Sequence, residues 1–284
     1  MWLQSIQHAI EYIEDHLTED LKIEQIAKVA HSSSFHFQRA FSILTGMTVG
    51  EYIRGRRLTL AAQEIASSHC KIIDVAYKYG YETPEAFAKA FRKQHGMKPS
   101  DVRKEAGTIH SYNKLVIHVQ LRGAEPMKYK IVEKESFQVV GIKRTFSCAN
   151  GEQSTEITKF WQDIYADGTN ERLFPLCSNT GEINGVIGVC NMGENNSMDY
   201  WIATNYAGED TKGFEVFMVP AAKWVVFEVK GAMSAAITAM WEKIYQEWLP
   251  SNAYELTNGP ELEVYSDGDT TSADYYSEIW LPIK

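Results

Sequence analysis

Apolar residues along the first hundred positions recur at helical spacing, in short runs separated by polar breaks. Ile73, Val75, Ala76 and Tyr79 predict a short helix that Gly80 ends. Thr83-Pro84-Glu85 then supplies an N-cap, a proline at the first helical position and a first-turn acid. The next helix buries Phe87, Ala90 and Phe91 and stops before His95-Gly96, so Glu85, Ala88, Lys89, Arg92 and Lys93 point outward. The same layout occurs earlier in the chain. Ile26-Ala27 through Thr45-Gly46-Met47 repeats Val75-Ala76 through His95-Gly96-Met97, at an offset of 49 in the first helix and 50 from Phe37/Phe87 onward. The extra residue falls in the turn, where insertions are tolerated. Between the copies, Val49 to Ser67 reads as a longer connecting helix through Tyr52, Ile53, Leu60, Ala61 and Ile65. The opening stretch MWLQSIQHAIEYIEDHL is amphipathic and acidic, which predicts a first helix and not a signal peptide.

One pair of short helices around a glycine turn is as compatible with an ordinary helical hairpin as with DNA reading. Two copies with basic outer faces favour the helix-turn-helix. In the first copy Ser32-Ser33-Ser34 offers N-caps, Phe37, Ala40 and Phe41 form the buried face, and Phe35, His36, Gln38 and Arg39 are expected outward. Gln38 and Arg39 suit adenine and guanine edges, and an exposed Phe35 can lie against a thymine methyl. His36, Arg56 and Arg57 are better suited to packing or phosphates. Ala40-Phe41, the stretch IRGRRLTLAAQEI and the tail GMKPSDVR, with Val102 where an aromatic is common, together resemble the AraC/XylS family of transcription regulators. The resemblance implies base contacts at Phe35, Gln38 and Arg39 and at Glu85, Ala88 and Lys89, with Arg92 and Lys93 on phosphates. It also implies double-stranded promoter DNA as partner, RNA polymerase as a further one, and a cytoplasmic location. A single chain would touch two major-groove segments roughly 34 Å apart.

Beyond a boundary near Ala106 the periodicity changes. Residues 107–126 read as a connector holding one alternating strand, Leu115-Val116-Ile117-His118-Val119. In residues 127–284 a second duplication appears, ITKFWQDIY at 157–165 and ITAMWEKIY at 237–245, offset by 80. Each helix follows strand-like sequence and precedes two more strands, and Asp267-Gly268 predicts a hairpin turn between the last two. The expected fold is therefore an all-α tandem helix-turn-helix domain followed by an α+β domain of two pseudo-symmetric strand-helix-strand-strand units, with a concave seam where they meet. KYKIVEKESFQVVGI, MVPAAKWVVFEVKG and SEIWLPI, in that order, resemble the GyrI-like effector-binding domain.

In YYSEIWLPI the strand period places Tyr276, Glu278 and Trp280 on one face and Ser277, Ile279 and Leu281 on the other. A carboxylate between aromatics is a receptor for a cation. The resemblance maps the family's ligand-binding glutamate onto Glu278, with Trp161, Tyr165, Trp201, Tyr206, Trp241 and Tyr245 as candidate aromatic lining for a small, amphipathic effector cation. The bland alternative is that Trp161 and Trp241 are core.

Charge supports this division of labour. The 284-residue chain carries a net charge of -9, but residues 21–110 hold 14 basic and 8 acidic residues, a local +6 where phosphate contact requires it. No apolar run approaches a membrane span of roughly 18 residues. The four cysteines and eight histidines show no metal-ligand spacing, and HExxH, GxSxG and P-loop motifs are absent, so neither a metal nor a cofactor is expected. The expectation is a regulator and not an enzyme. Two alternatives are a hydrolase in which Glu278 and Tyr276 activate water, and a protein-binding module that takes no small ligand.

Overall fold

The computed structural model describes residues 2–102, 109–117, 127–148, 153–177, 183–193, 197–206, 208 and 210–284. The chain divides into two compact units, Met1–Gln120 and Leu121–Lys284. The expected boundary at Ala106 and residues 118–126 of the expected connector lie outside the described residues.

The first unit is helical: α1 (Trp2–Asp15), α2 (Ile23–Val29), α3 (Ser34–Thr45), α4 (Val49–Ser67), α5 (Ile72–Lys78) and α6 (Pro84–His95). The duplication is written into its helix ends. Ser33 accepts the His36 amide at 3.2 Å and Thr83 accepts the Ala86 amide at 3.1 Å, so α3 and α6 start alike. Both end at a left-handed glycine, Gly46 (φ 72°) and Gly96 (φ 75°). In the two turns, Ser32 N–H bonds the Ala27 carbonyl and Tyr81 N–H bonds the Ala76 carbonyl, each at 3.0 Å, around the positive-φ residues His31 and Gly80. Thr48 and Glu51 form a reciprocal capping box that starts α4. Leu58, Ala61, Ala62 and Ile65 of α4 pack with Val75, Ala76, Tyr79, Phe87, Phe91 and Val102, so the small residue at 102 still closes the core. Ile73 is a correction: it is 41 % exposed, and the buried face of α5 is Ile72, Val75, Ala76 and Tyr79, which fits the 3.6-residue repeat better.

The connector is a second correction. Residues 109–117 hold no regular structure, and the amides of Tyr112, Leu115 and Ile117 donate to helix side chains instead of to a neighbouring strand. His118 and Val119 of the expected strand lie outside the described residues.

The second unit is one eight-stranded antiparallel sheet: β1 (Tyr129–Lys134), β2 (Phe137–Ser147), β3 (Val186–Met192), β4 (Ser197–Asn205), β5 (Glu215–Val219), β6 (Ala222–Lys230), β7 (Glu261–Tyr265) and β8 (Tyr276–Ile283). The helices α7 (Gln153–Ala166), α8 (Thr169–Leu173) and α9 (Ala235–Lys243) complete it, α9 running on through a π-helical stretch, Ile244–Trp248. The strand order β1-β6-β8-β7-β3-β4-β2-β5 is the signature of the duplication. Each unit carries two strands ahead of its helix, one more than expected, and lends the first of them to the far edge of the other unit. The pseudo-dyad therefore falls between β3 and β7, where Gly188 faces Glu263. The β7–β8 hairpin forms, but through residues 266–275 and not through a two-residue Asp267-Gly268 turn.

Strand alternation gives the sheet two different faces. Phe146, Tyr200, Phe227, Glu263 and Tyr265 meet the helices: Phe146 lies 6.2 Å from Phe160, and Phe227 lies 5.0 Å from Trp248. The opposite face is an apolar cluster of strand residues, including Val189, Trp201, Trp224, Val226, Leu262, Val264 and Trp280.

Candidate nucleic-acid interface and effector site

On α6 the outward face is as expected. Glu85, Lys89, Arg92 and Lys93 are exposed and Ala88 is half-buried. On α3 the expectation needs correcting. Gln38 and Arg39 are half-buried, but Phe35 is only 5 % exposed and His36 is buried as well. The first turn decides this: helical side chains lean toward the N-terminus, over the preceding chain, so a helical wheel drawn from Phe37 and Phe41 misplaces them. Phe35 instead supports Arg39, whose guanidinium lies 5.5 Å from its ring centre.

Arg56 and Arg57 of α4 are structural. Arg56 makes a fork to Glu14, Nε to Oε1 at 2.8 Å and Nη2 to Oε2 at 2.7 Å, while Tyr52 donates to the same carboxylate at 2.6 Å. Burial raises the Glu14 carboxyl, but the Arg56 and Tyr52 hydrogen bonds outweigh it and hold the group below its ordinary value. Arg57 donates to the carbonyls of Leu17 and Glu19 at 2.7 and 2.6 Å.

In the second unit two carboxylates are dressed alike on opposite faces of the sheet. Glu278 accepts Tyr276 Oη at 2.7 Å, Trp280 Nε1 at 2.8 Å and Lys130 Nζ at 3.0 Å. The expected trio on β8 is therefore real. Burial, then the hydrogen bond to Glu278, pushes the Tyr276 phenol up, so it remains a donor.

The expected lining does not join that trio. Trp201 shares its face but packs on Phe217, 5.3 Å between ring centres, and Tyr206 sits in the loop after β4, donating to the Asp210 carbonyl. Trp161, Trp241 and Tyr245 belong to the helix side of the sheet, and Tyr165 is 57 % exposed beside Phe174. One residue along a strand changes the face, and the helix residues reach only one of the two.

That face carries the second carboxylate. Glu263, half-buried on the dyad, accepts Trp241 Nε1 at 2.9 Å and Tyr265 Oη at 2.6 Å. Trp161 stands edge-on to Tyr265 at 5.5 Å and donates to Tyr200 Oη at 3.0 Å. The repeated tryptophans of α7 and α9 thus converge on the seam from either side. Burial and the Glu263 charge push the Tyr200 and Tyr265 phenols well up, which keeps both protonated. Gly188 is required here, because a Cβ would lie 2.4 Å from the Tyr200 hydroxyl. Glu263, Tyr265, Tyr200 and Gly188 were not picked out from sequence. The signal was present in ELEVY, whose alternation places Glu261, Glu263 and Tyr265 on the face opposite Leu262 and Val264.

Among the described residues no group of histidine, cysteine, aspartate and glutamate could hold a metal ion, and no helix is long and apolar enough to cross a membrane.

Paired helix-turn-helices ahead of a dyadic sheet with a carboxylate among aromatics define a DNA-binding regulator with an effector-binding domain. Comparison with known proteins gives the family: residues 130–283 match the integron-associated effector binding proteins, to which the chain belongs, and residues 26–105 match an AraC-type helix-turn-helix domain. Among curated relatives, the regulatory protein SoxS of Salmonella typhimurium is 41% identical over 100 residues, 35% of this chain and 94% of that one. The right origin-binding protein of Escherichia coli is 23% identical over 295 residues, 98% of both chains. SAV2435, solved bound to tetraphenylphosphonium, is 32% identical with a TM-score of 0.51, over 56% of this chain and 94% of that one.

Proposed function

We propose that the protein is a cytoplasmic, one-component transcription regulator, an activator working with RNA polymerase, in which a lipophilic cation binds at the seam and alters DNA binding without being turned over. Gln38 and Arg39 of α3 and Ala88 and Lys89 of α6 are read as groove-facing, Glu85 as either a cytosine reader or a helix-start acid, and Arg92 and Lys93 as phosphate contacts. Phe35 is read as the support of Arg39. The observation that carries the effector reading is Glu263, a half-buried carboxylate on the dyad that accepts from an indole N–H and a phenol, with a second tryptophan beside them. Such a group offers charge to a cation and flat rings to its apolar body.

Tetraphenylphosphonium is the first probe, followed by quenching of the protein's tryptophan fluorescence. Glu263→Gln is expected to weaken binding at least tenfold, about 1.4 kcal/mol, while Glu278→Gln leaves it within about twofold. Loss of binding in Glu278→Gln alone would transfer the site to the other face.

A further inference from the structure

The chain leaving the first unit is docked and not merely connecting. Three of its amides donate to side chains of helices: Tyr112 N–H to Thr59 Oγ1 at 3.0 Å, Leu115 N–H to Tyr52 Oη at 3.1 Å, and Ile117 N–H to Gln7 Oε1 at 3.1 Å. Two of its carbonyls are held too, Tyr112 O by Arg56 Nη1 at 2.5 Å and His110 O by Gln94 Nε2 at 3.3 Å. Residues 109–117 therefore lash together α1, α4 and the end of α6.

One contact fixes the register. Gly55, buried in the interior of α4, lies under the Tyr112 ring, and a Cβ there would sit 2.8 to 3.0 Å from three ring atoms. Glycine is unfavourable in a helix interior, so its presence here serves the close approach. Tyr112 is nevertheless 42 % exposed, and little apolar burial opposes its leaving.

We propose that residues 109–117 are a releasable strap. Docked, it holds α1, α4 and α6 in one arrangement; undocking from Gly55 is the step through which the effector-binding unit changes DNA affinity. The second clause rests on the effector reading above, whereas the first does not. A two-state element biased by ligand is what such coupling requires. The Tyr52–Glu14–Arg56 cluster gives the strap a rigid anchor, because Tyr52 and Arg56 each bond both the strap and Glu14.

The experiment uses the full chain and a duplex enriched by it from a random pool. Three variants are compared with wild type: Gly55→Ala, which evicts the ring; Tyr112→Ala, which removes it; and Tyr112→Phe, which keeps it. Without ligand, the first two are expected to shift the DNA dissociation constant roughly fivefold or more in the same direction, and Tyr112→Phe to match wild type. Hydrogen exchange at the amides of Tyr112, Leu115 and Ile117 should be faster in the first two variants. With tetraphenylphosphonium, wild-type DNA affinity should change and that of the two strap variants should not, although they bind the cation as wild type does.

Unchanged ligand-free DNA affinity in both Gly55→Ala and Tyr112→Ala would overturn the strap. If Gly55→Ala does not fold, Tyr112→Ala alone decides. Full wild-type response to the cation in these variants would overturn the coupling. Absence of cation binding in wild type would refute the effector reading and the coupling with it, leaving the ligand-free test of the strap intact.

Discussion

A one-residue step along a strand decides which face of the sheet a carboxylate occupies. Glu263 and Glu278 carry nearly the same donors, but one meets the helices and the other meets Lys130 on the opposite face. The repeated tryptophans can reach only the first. Two other residues lend themselves to direct tests. His31 holds φ 52° in the turn where the second copy has Gly80 at φ 80°. A side chain in this conformation is strained, so His31→Gly is expected to stabilise the first unit by about 0.5–1 kcal/mol in thermal unfolding. His95, buried with Nε2 3.2 Å from the Leu58 carbonyl, has its pKa lowered by burial below 6.5. The unfolded chain then binds the proton more readily, so the stability His95 contributes is present above pH 6.5 and lost as pH falls below it. Thermal unfolding of the first unit should move down between pH 7.5 and 5.5, and less in a His95→Gln variant.

At the scale of elements, the helix pairs were legible because caps, breaks and apolar faces agree. Thr83, Gly96 and the pair Phe87/Phe91 specify α6 three times over, and Ser33, Gly46 and Phe37/Phe41 do the same for α3. The strap was not legible: Leu115 to Val119 alternates like a strand, and nothing local reveals that Thr59, Tyr52 and Gln7 will satisfy its amides from distant helices. The seam was half legible. Sequence identified Trp161 and Trp241 by their repetition and Glu278 by its aromatic neighbours, but the side of the sheet on which the helices pack is a tertiary fact. Long-range pairing also governs the anchor at Arg56. Arg56→Leu leaves Glu14 buried without its cation and is expected to cost about 3 kcal/mol, and adding Glu14→Gln should recover much of that loss. Denaturant unfolding of the single and double variants measures it.

For the whole molecule, charge and duplication describe the same division. The net +6 of residues 21–110 lies in the unit with two copies of a DNA-reading hairpin, and the acidic remainder includes the dyadic sheet. Each unit repeats one motif to make a surface that a single copy lacks. In the function proposed above two recognition helices would span two groove segments, and two sheet modules meet at one seam. Because phosphate contacts dominate affinity, Arg92→Ala and Lys93→Ala should weaken binding to all sequences and lower the salt dependence, whereas Lys89→Ala should relax preference at one segment.

The most direct measurement is a footprint of the 284-residue chain on its enriched duplex, at low salt, with and without tetraphenylphosphonium. Two protected major-groove segments about one helical turn apart are expected, one lost in Gln38→Ala/Arg39→Ala and the other in Lys89→Ala, with the strength of protection altered by the cation. A single protected segment, or a footprint indifferent to the cation at concentrations that saturate the protein, would contradict the proposed function.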